Sequence, residues 1–176
     1  MNPESPILRP LAEDEVETVR TTEKAARIRY RALGGPFARA AEGPAIALER
    51  FVEGETIVAE LLEKPAGFVL SQPLDGLLYV TNAAVNPEAA GLGIGRLLMI
   101  GAEHRARQLK VAGLSRATFR IPPWNGPWFR RQGYSPIPEE RIGPGLRAIL
   151  DRHASFLDMS MRETLWKPIA SSSIGG

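Results

Sequence analysis

The chain has 176 residues, 44% of them apolar, with a net charge of +2 and no cysteine, a length and composition suited to one compact domain with a sizeable core. Without cysteine neither a disulfide framework nor a thiolate metal site can form, and only His104 and His153 offer imidazole ligands, so no bound metal is expected. The stretch Met1 to Arg9 lacks a basic start with an apolar run, no window reaches the ~18 unbroken apolar residues of a membrane span, and the small net charge argues against nucleic acid; the expectation is a cytoplasmic protein without membrane or nucleic-acid partners.

Ile7 to Leu11 reads as a short edge strand, because Pro10 cannot donate to a ladder. A helix is expected from about Asp14 to Ala32, where Val16, Val19, Ala25, Ala26, Ile28 and Ala32 recur near helical spacing and acids crowd the start. Gly34-Gly35-Pro36 is expected to stop it, and a shorter helix to run from Pro44 to Gly54. Three strands follow, Thr56 to Leu61, Ala66 to Ser71 and Leu77 to Val85, with breaks at Glu63-Lys64-Pro65 and Pro73-Leu74-Asp75-Gly76; such short connections imply an antiparallel meander.

Gly91 to Gly95 leads into a helix reaching about Val111, with Ile94, Leu97, Leu98, Gly101, Ala102 and Leu109 on one side. The next strand, Leu114 to Ile121, lies beyond a helix and so is able to run parallel to Leu77–Val85. A short helix around Trp128 to Arg131, a strand near Tyr134, a helix from Gly145 to Phe156 and a strand from Met159 to Leu165 complete the chain. The expected fold is therefore α/β of the α+β type, a mixed and mainly antiparallel central sheet flanked by helices. One domain spans residues 1–170, and 171–176 has the composition of a disordered tail.

Charge is uneven. Eight basic residues and one acid lie between Arg96 and Arg131, which suits either a small polyanion such as a phosphorylated cofactor or a solvated charged face. Within reach of this segment, Val85-Asn86-Pro87 passes from a strand into Ala90-Gly91-Leu92-Gly93-Ile94-Gly95-Arg96 and then a helix. Glycines let backbone approach an anion, and the free amides and dipole of a first helical turn favour negative charge. The dinucleotide fingerprint needs a further glycine after Gly95, and the phosphate loop of nucleotide triphosphatases needs a lysine-serine pair; neither is present.

The motif resembles that of the GNAT acetyltransferases: an apolar strand, a Val-x-Pro step, then Arg/Gln-Gly-x-Gly-Ile-Gly entering a helix. Val85-Asn86-Pro87 and Gly91 to Gly95 match in order and spacing. The resemblance extends over most of the chain, from the Leu8-Arg9-Pro10 strand to Trp124-Asn125-Gly126-Pro127-Trp128-Phe129 and Gly133-Tyr134, and looks closest to a subgroup with Pro-Trp-Asn-Ala-Pro-Phe-Tyr in its late motif.

That resemblance implies an N-acetyltransferase that moves an acetyl group from acetyl-CoA directly to an amine of a small molecule or peptide, with a homodimer common among relatives. Ala90, Gly91, Leu92, Gly93, Ile94, Gly95 and Arg96 are implied to wrap the pyrophosphate of coenzyme A. Ala83 and Val85 would pair with its pantetheine arm as an added strand does, a backbone amide near Val85 would hold the oxyanion, and Asn125 and Phe129 would lie at the arm. Asn125 is read equally as a local cap beside Gly126-Pro127.

The catalytic side chains depart from the pattern. Phe129 stands where relatives often carry the tyrosine that protonates the leaving thiolate, which leaves Tyr134 as the nearest phenol, either the acid or a core aromatic. Thr81 and Asn82 stand where relatives often carry acids, so base work would fall to water or to an acid elsewhere, such as Glu60 or Glu88. Ala90 replaces the usual Arg or Gln, with Arg96, Arg105 and Arg107 expected to compensate at the phosphates. His104 and His153 read as surface residues. Trp124, Trp128 and Tyr134 would wall the acceptor pocket or fill the core. The alternative is an acyl-CoA-binding module of the same fold with weak or no catalysis.

Overall fold

The computed structural model describes residues 5–170; the expected tail at 171–176 lies outside them. Seven strands form one sheet: β1 (Ile7–Pro10), β2 (Glu55–Leu61), β3 (Lys64–Leu74), β4 (Leu77–Val85), β5 (Gly113–Phe119), β6 (Ser135–Pro136) and β7 (Arg162–Pro168), ordered β1-β2-β3-β4-β5-β7-β6. The β1/β2, β2/β3, β5/β7 and β6/β7 pairs are antiparallel. As expected from the intervening helix, β4 and β5 run parallel, and their ladder covers two residue pairs, Leu78 with Leu114 and Tyr79 with Ser115. Six α-helices accompany the sheet among the described residues: α1 (Val16–Arg27), α2 (Gly35–Ala41), α3 (Glu49–Glu53), α4 (Ile94–Gln108), α5 (Gly126–Arg131) and α6 (Pro144–Ala154).

Two compact units are distinguished, one within Met1–Ser71 and Asn82–Ala102, the other within Gln72–Thr81 and Glu103–Gly176. The core of the first joins Val19 and Ala26 of α1 to Val58, Phe68, Leu70 and Ala84 of the strands, with Leu11 and Phe51 packed against it. In the second, Tyr79 packs with Leu146 and Ile149 of α6. Each fully buried aliphatic or aromatic side chain contributes about 1.5–3 kcal/mol.

Both meander turns are shorter than the sequence expectation, and Pro73 and Leu74, expected in the second break, lie in β3. Leu62 and Glu63, with φ of 52° and 60°, form the two-residue connection between β2 and β3, so the break falls before Lys64-Pro65 and Pro65 sits inside β3. Asp75 and Gly76, φ 52° and 76°, connect β3 to β4. Positive φ at both central residues is the geometry whose twist matches two antiparallel strands.

The helices before β2 are shorter than the apolar spacing suggests. In place of one helix over 14–32, α1 lies between 3-10 turns at Glu13–Glu15 and Ile28–Leu33. Gly34, at φ 67°, ends the second turn, but Gly35-Pro36 opens α2 where a stop was expected, because proline suits a first helical turn. The expected helix from Pro44 shrinks to α3. Arginines of α1 take the intervening carbonyls: Arg27 donates to Ala40 O at 3.2 Å and Pro44 O at 3.0 Å, and Arg20 to Ile46 O at 2.8 Å. At the other end of the chain, Asp158 Oδ1 accepts from Ser160 N at 3.0 Å and holds Met159–Met161 in a 3-10 turn, so β7 starts at Arg162 and not at Met159.

Candidate functional site

In the first unit, β4 reaches its end at Val85 and is fastened there by Asn86 N–H donating to Ala66 O at 2.8 Å. Asn86 Oδ1 accepts from Glu88 N at 3.1 Å and starts a 3-10 turn, Pro87–Ala89, whose Ala89 is buried. Ala90 N–H then bonds Pro87 O, and Leu92 N–H bonds Ala89 O. Gly91 and Gly93 take φ of 81° and 78°, with no atom within 4 Å of where their Cβ would be. A side chain would be strained there, and the space above both glycines is open.

The first bond of α4 in this turn is Leu97 N–H to Gly93 O at 3.0 Å, so the amides of Ile94, Gly95 and Arg96 precede any intrahelical acceptor. Ile94 is buried while Leu92 and Arg96 are exposed, which anchors the turn by one side chain and leaves its backbone presented outward. The turn is thus a row of free donors at a helix N-terminus, an arrangement that fits phosphate. Ala83 and Val85 are half-buried and carry no pair in the β4/β5 ladder.

Gly67 of β3 sets this geometry and was not singled out by sequence reasoning. A Cβ there would meet Ala84 O at 2.8 Å, Ile94 Cγ2 at 3.1 Å and Leu98 Cδ1 at 3.2 Å. The missing side chain admits both the end of β4 and the first turns of α4. A glycine inside a strand pattern was the available signal, since it marks close approach of other backbone.

The first unit also holds a carboxylate that sequence reasoning missed. Glu23 of α1 is buried, pairs with Arg27 Nε at 2.8 Å, and is pushed up from the usual carboxylate range by that burial, with Arg27 opposing. Nothing in its neighbours along the chain marked it, because the apolar face of α1 is defined by Val19 and Ala26. The bases considered from sequence are placed otherwise. Glu60 is bonded to Arg9 Nε at 2.5 Å, and Glu88 is exposed.

In the second unit, Asn125 is 7% exposed and its side-chain amide donates to Thr118 Oγ1 at 3.0 Å. It stands at the N-cap position of α5 without a side-chain capping bond, so its amide is turned to β5 and not to the helix. Phe129 is stacked edge-on between Trp128, 5.0 Å away, and Tyr134, 5.2 Å away, with the Arg116 guanidinium 5.1 Å from its ring centre. Arg116 also donates to Val80 O at 3.3 Å, one residue past the last β4/β5 pair.

Tyr134 is 3% exposed and its hydroxyl has no hydrogen-bond partner. Burial pushes this phenol well above its ordinary range, Glu103 adds to the effect and Arg116 opposes it, so it holds its proton at neutral pH. Gly126 leaves room for Glu163, whose carboxylate is gripped by both Arg130 nitrogens and lies 3.9 Å from Arg120, fastening α5 to β7. Arg105 and Arg107 face local partners, Gln108 at 3.3 Å and Glu103 at 3.8 Å. His104 is exposed and lies 3.1 Å from the Gln108 amide nitrogen, whereas His153 is half-buried against Phe156 and less exposed than expected. Among the described residues no three His, Asp or Glu side chains gather as a metal would need, and no helix is long and apolar enough to cross a membrane.

Residues 23–134, which contain the meander, the glycine turn and Asn125, match the sequence profile of the acetyltransferase (GNAT) family. The chain belongs to that family. Its mixed sheet with flanking helices is the GNAT acyl-CoA N-acyltransferase fold, shared with solved structures at low identity. The ribosomal-protein-S18-alanine N-acetyltransferase of Escherichia coli superposes with a TM-score of 0.62 at 13% identity, over 98% of this chain and 100% of that one. The PaiA N-acetyltransferase of Thermoplasma acidophilum, solved with coenzyme A, gives 0.68 at 12%, over 93% and 99%. N-acetylglutamate synthase of Neisseria gonorrhoeae, complexed with coenzyme A and N-acetyl-glutamate, gives 0.67 at 14%; this GNAT chain covers 94% of itself but only 35% of that protein. The late-motif subgroup is not distinguished by these likenesses.

Proposed function

We propose that this GNAT chain, as one domain over residues 1–170, transfers an acetyl group from acetyl-CoA to the amine of a small molecule or peptide in the cytoplasm. The observation that carries the reading is the open turn from Ala90 to Arg96, with positive φ at Gly91 and Gly93 and unpaired amides entering α4. When bound, acetyl-CoA supplies an acetyl thioester for attack by an amine. The amides of Gly91 to Arg96 would hold its pyrophosphate, with Leu92 and Ile94 shaping the turn. Ala83 and Val85 would offer strand hydrogen bonds to the pantetheine arm, and an amide near Val85 would stabilise the oxyanion. Asn125 and Phe129 keep the arm-binding roles that the resemblance implies.

Aminolysis forms a C–N bond and breaks the C–S bond; the amine gives up a proton and the leaving thiolate takes one. Tyr134 keeps its proton at neutral pH and is the proposed donor, an effect worth about 10²–10⁴-fold. The experiment is calorimetric titration with acetyl-CoA and coenzyme A, using ATP and NAD as controls, followed by thiol-release assays over a panel of amines. Binding of the coenzyme A forms alone, with thiol release that falls in Tyr134→Phe, supports the reading. Binding of neither form ends it.

A second reading, an acyl-CoA-binding module with little catalysis, is favoured by one observation. Tyr134, the phenol packed against Phe129, has its hydroxyl buried and without a hydrogen-bond partner. Coenzyme A binding without thiol release over the whole panel would establish that reading.

A further inference from the structure

In the first unit, the chain from the end of α2 towards α3 is strapped to α1 by arginines. Arg27 donates from Nη1 to Ala40 O at 3.2 Å and from Nη2 to Pro44 O at 3.0 Å, and Arg20 Nε donates to Ile46 O at 2.8 Å. Gly43 makes room for Arg27, since a Cβ there would stand 2.8 Å from its Nη1. The strap ends inside the protein. Ile46 is buried and belongs to the core cluster that includes Ala84, the residue between Ala83 and Val85 at the end of β4.

Arg27 has a further partner on its own helix. Glu23, one turn earlier, is buried and places Oε1 2.8 Å from Arg27 Nε, while its other oxygen, Oε2, is buried without a hydrogen-bond partner. An ionised carboxylate with one oxygen shut off from both water and donors is costly, and a protonated one is far less so. Burial accordingly pushes the Glu23 carboxyl up, and Arg27 opposes this without outweighing it. The elements packed on α1 carry Glu13–Glu15, Arg29, Tyr30, Arg31, Arg39 and Glu88, but Arg27 is the charge that acts on this carboxyl. Glu42, on the strap itself, is exposed and paired with Arg31 at 2.7 Å.

We propose that Glu23 and Arg27 form a pH-sensitive clasp on the strap from Ala40 to Ile46. The protonated carboxyl tolerates the closed form, whereas the ionised one gains water at Oε2 when the strap opens. The closed form therefore binds the proton more tightly than the open one. Acid keeps the strap closed, and a rise in pH through the closed form's titration releases it. Release lifts Ile46 out of the cluster that holds Ala84, so the clasp regulates how the end of β4 is covered. It does not depend on acetyl transfer and is measured on the full chain without acetyl-CoA.

The test is NMR from about pH 4 to about pH 8, following the Glu23 carboxyl carbon, the Ile46 methyl and the exchange protection of the Ala41 and Glu42 amides. Protection, corrected for the intrinsic exchange rate, is expected to fall about tenfold or more as Glu23 ionises, and the Ile46 methyl to shift over the same range. The amide of Val58, in the core, should stay protected throughout, which separates strap opening from global unfolding. Glu23→Gln keeps the shape without the charge and should hold the closed-state protection at every pH. Arg27→Lys loses the paired carbonyl bonds and should lower protection at every pH. Protection unmoved across the Glu23 titration, a Glu23 carboxyl that titrates with the exposed glutamates, or wild-type pH dependence in Glu23→Gln would overturn the proposal.

Discussion

A Cβ on Gly67 would stand 2.8 Å from the carbonyl oxygen of Ala84. That oxygen belongs to backbone and cannot swing aside, and Ile94 and Leu98 close the other directions. Gly67→Ala is therefore expected to destabilise the chain by about 1–3 kcal/mol as an overpacking change. It should also weaken coenzyme A binding, because the displaced atoms open α4 and end β4. Thermal unfolding and calorimetry on the same variant check both; a variant with unchanged Tm would show that the turn is not set by this contact.

Tyr134 gives a prediction with a definite sign. Its folded phenol is raised above the unfolded value of about 10, so the folded chain holds the proton more tightly than the unfolded one. The stabilisation is complete below the unfolded value and is lost as pH rises through the folded one. Tm of the wild type should fall more steeply above about pH 10 than that of Tyr134→Phe. At neutral pH the variant should match the wild type or exceed it by about 1 kcal/mol, since the lost hydroxyl had no partner.

Leu62 and Glu63 occupy a turn that favours Asn and Gly, both with positive φ. Replacing them together, Leu62→Asn with Glu63→Gly, relieves left-handed strain at two positions and removes an exposed leucine. The expected gain is about 1 kcal/mol or somewhat more, read as a rise in the denaturant midpoint with the slope unchanged.

Glu163 is 5% exposed at its side chain and fastens Arg130 across 33 residues. Because Arg130 is about two-fifths exposed and solvent screens it, Glu163→Ala should cost about 1–3 kcal/mol, below the full penalty of a buried pair. The loss should also loosen α5, seen as a weaker near-ultraviolet circular dichroism signal from Trp128. An unchanged signal would mean that α5 is held by Phe129 packing alone.

Motifs that depend on local chain chemistry were readable. The strand ending at Val85, the Gly91 to Gly95 turn and the helix after it follow from residues next to one another, and the parallel β4/β5 pair follows from the helix between them. What escaped reading depends on contacts across the chain. The helix expected from Pro44 loses its start because Arg20 and Arg27, some 20 residues earlier, take its carbonyls. Glu23 looks like any helical acid until α1 is packed, and Gly67 looks like a weak strand residue until Ala84 arrives beside it. Asn125 could be placed on a turn, but the side to which its amide points is decided by Thr118 on β5.

Helix α6 has no capping side chain of its own at Gly143. Its first free amides, on Gly145 and Leu146, are bonded at 3.1 and 2.7 Å by the two oxygens of Asp75, the tip of the β3–β4 connection some 70 residues earlier. Gly143 and Gly145 are bare where that carboxylate sits, since a Cβ on Gly143 would come within 2.5 Å of it. The start of α6 is thus written in the hairpin. Asp75 lies on the hairpin, so these two bonds exist only where α6 is packed beside it. The place where α6 begins is a tertiary contact, and a change at Asp75 would reach a helix some 70 residues away.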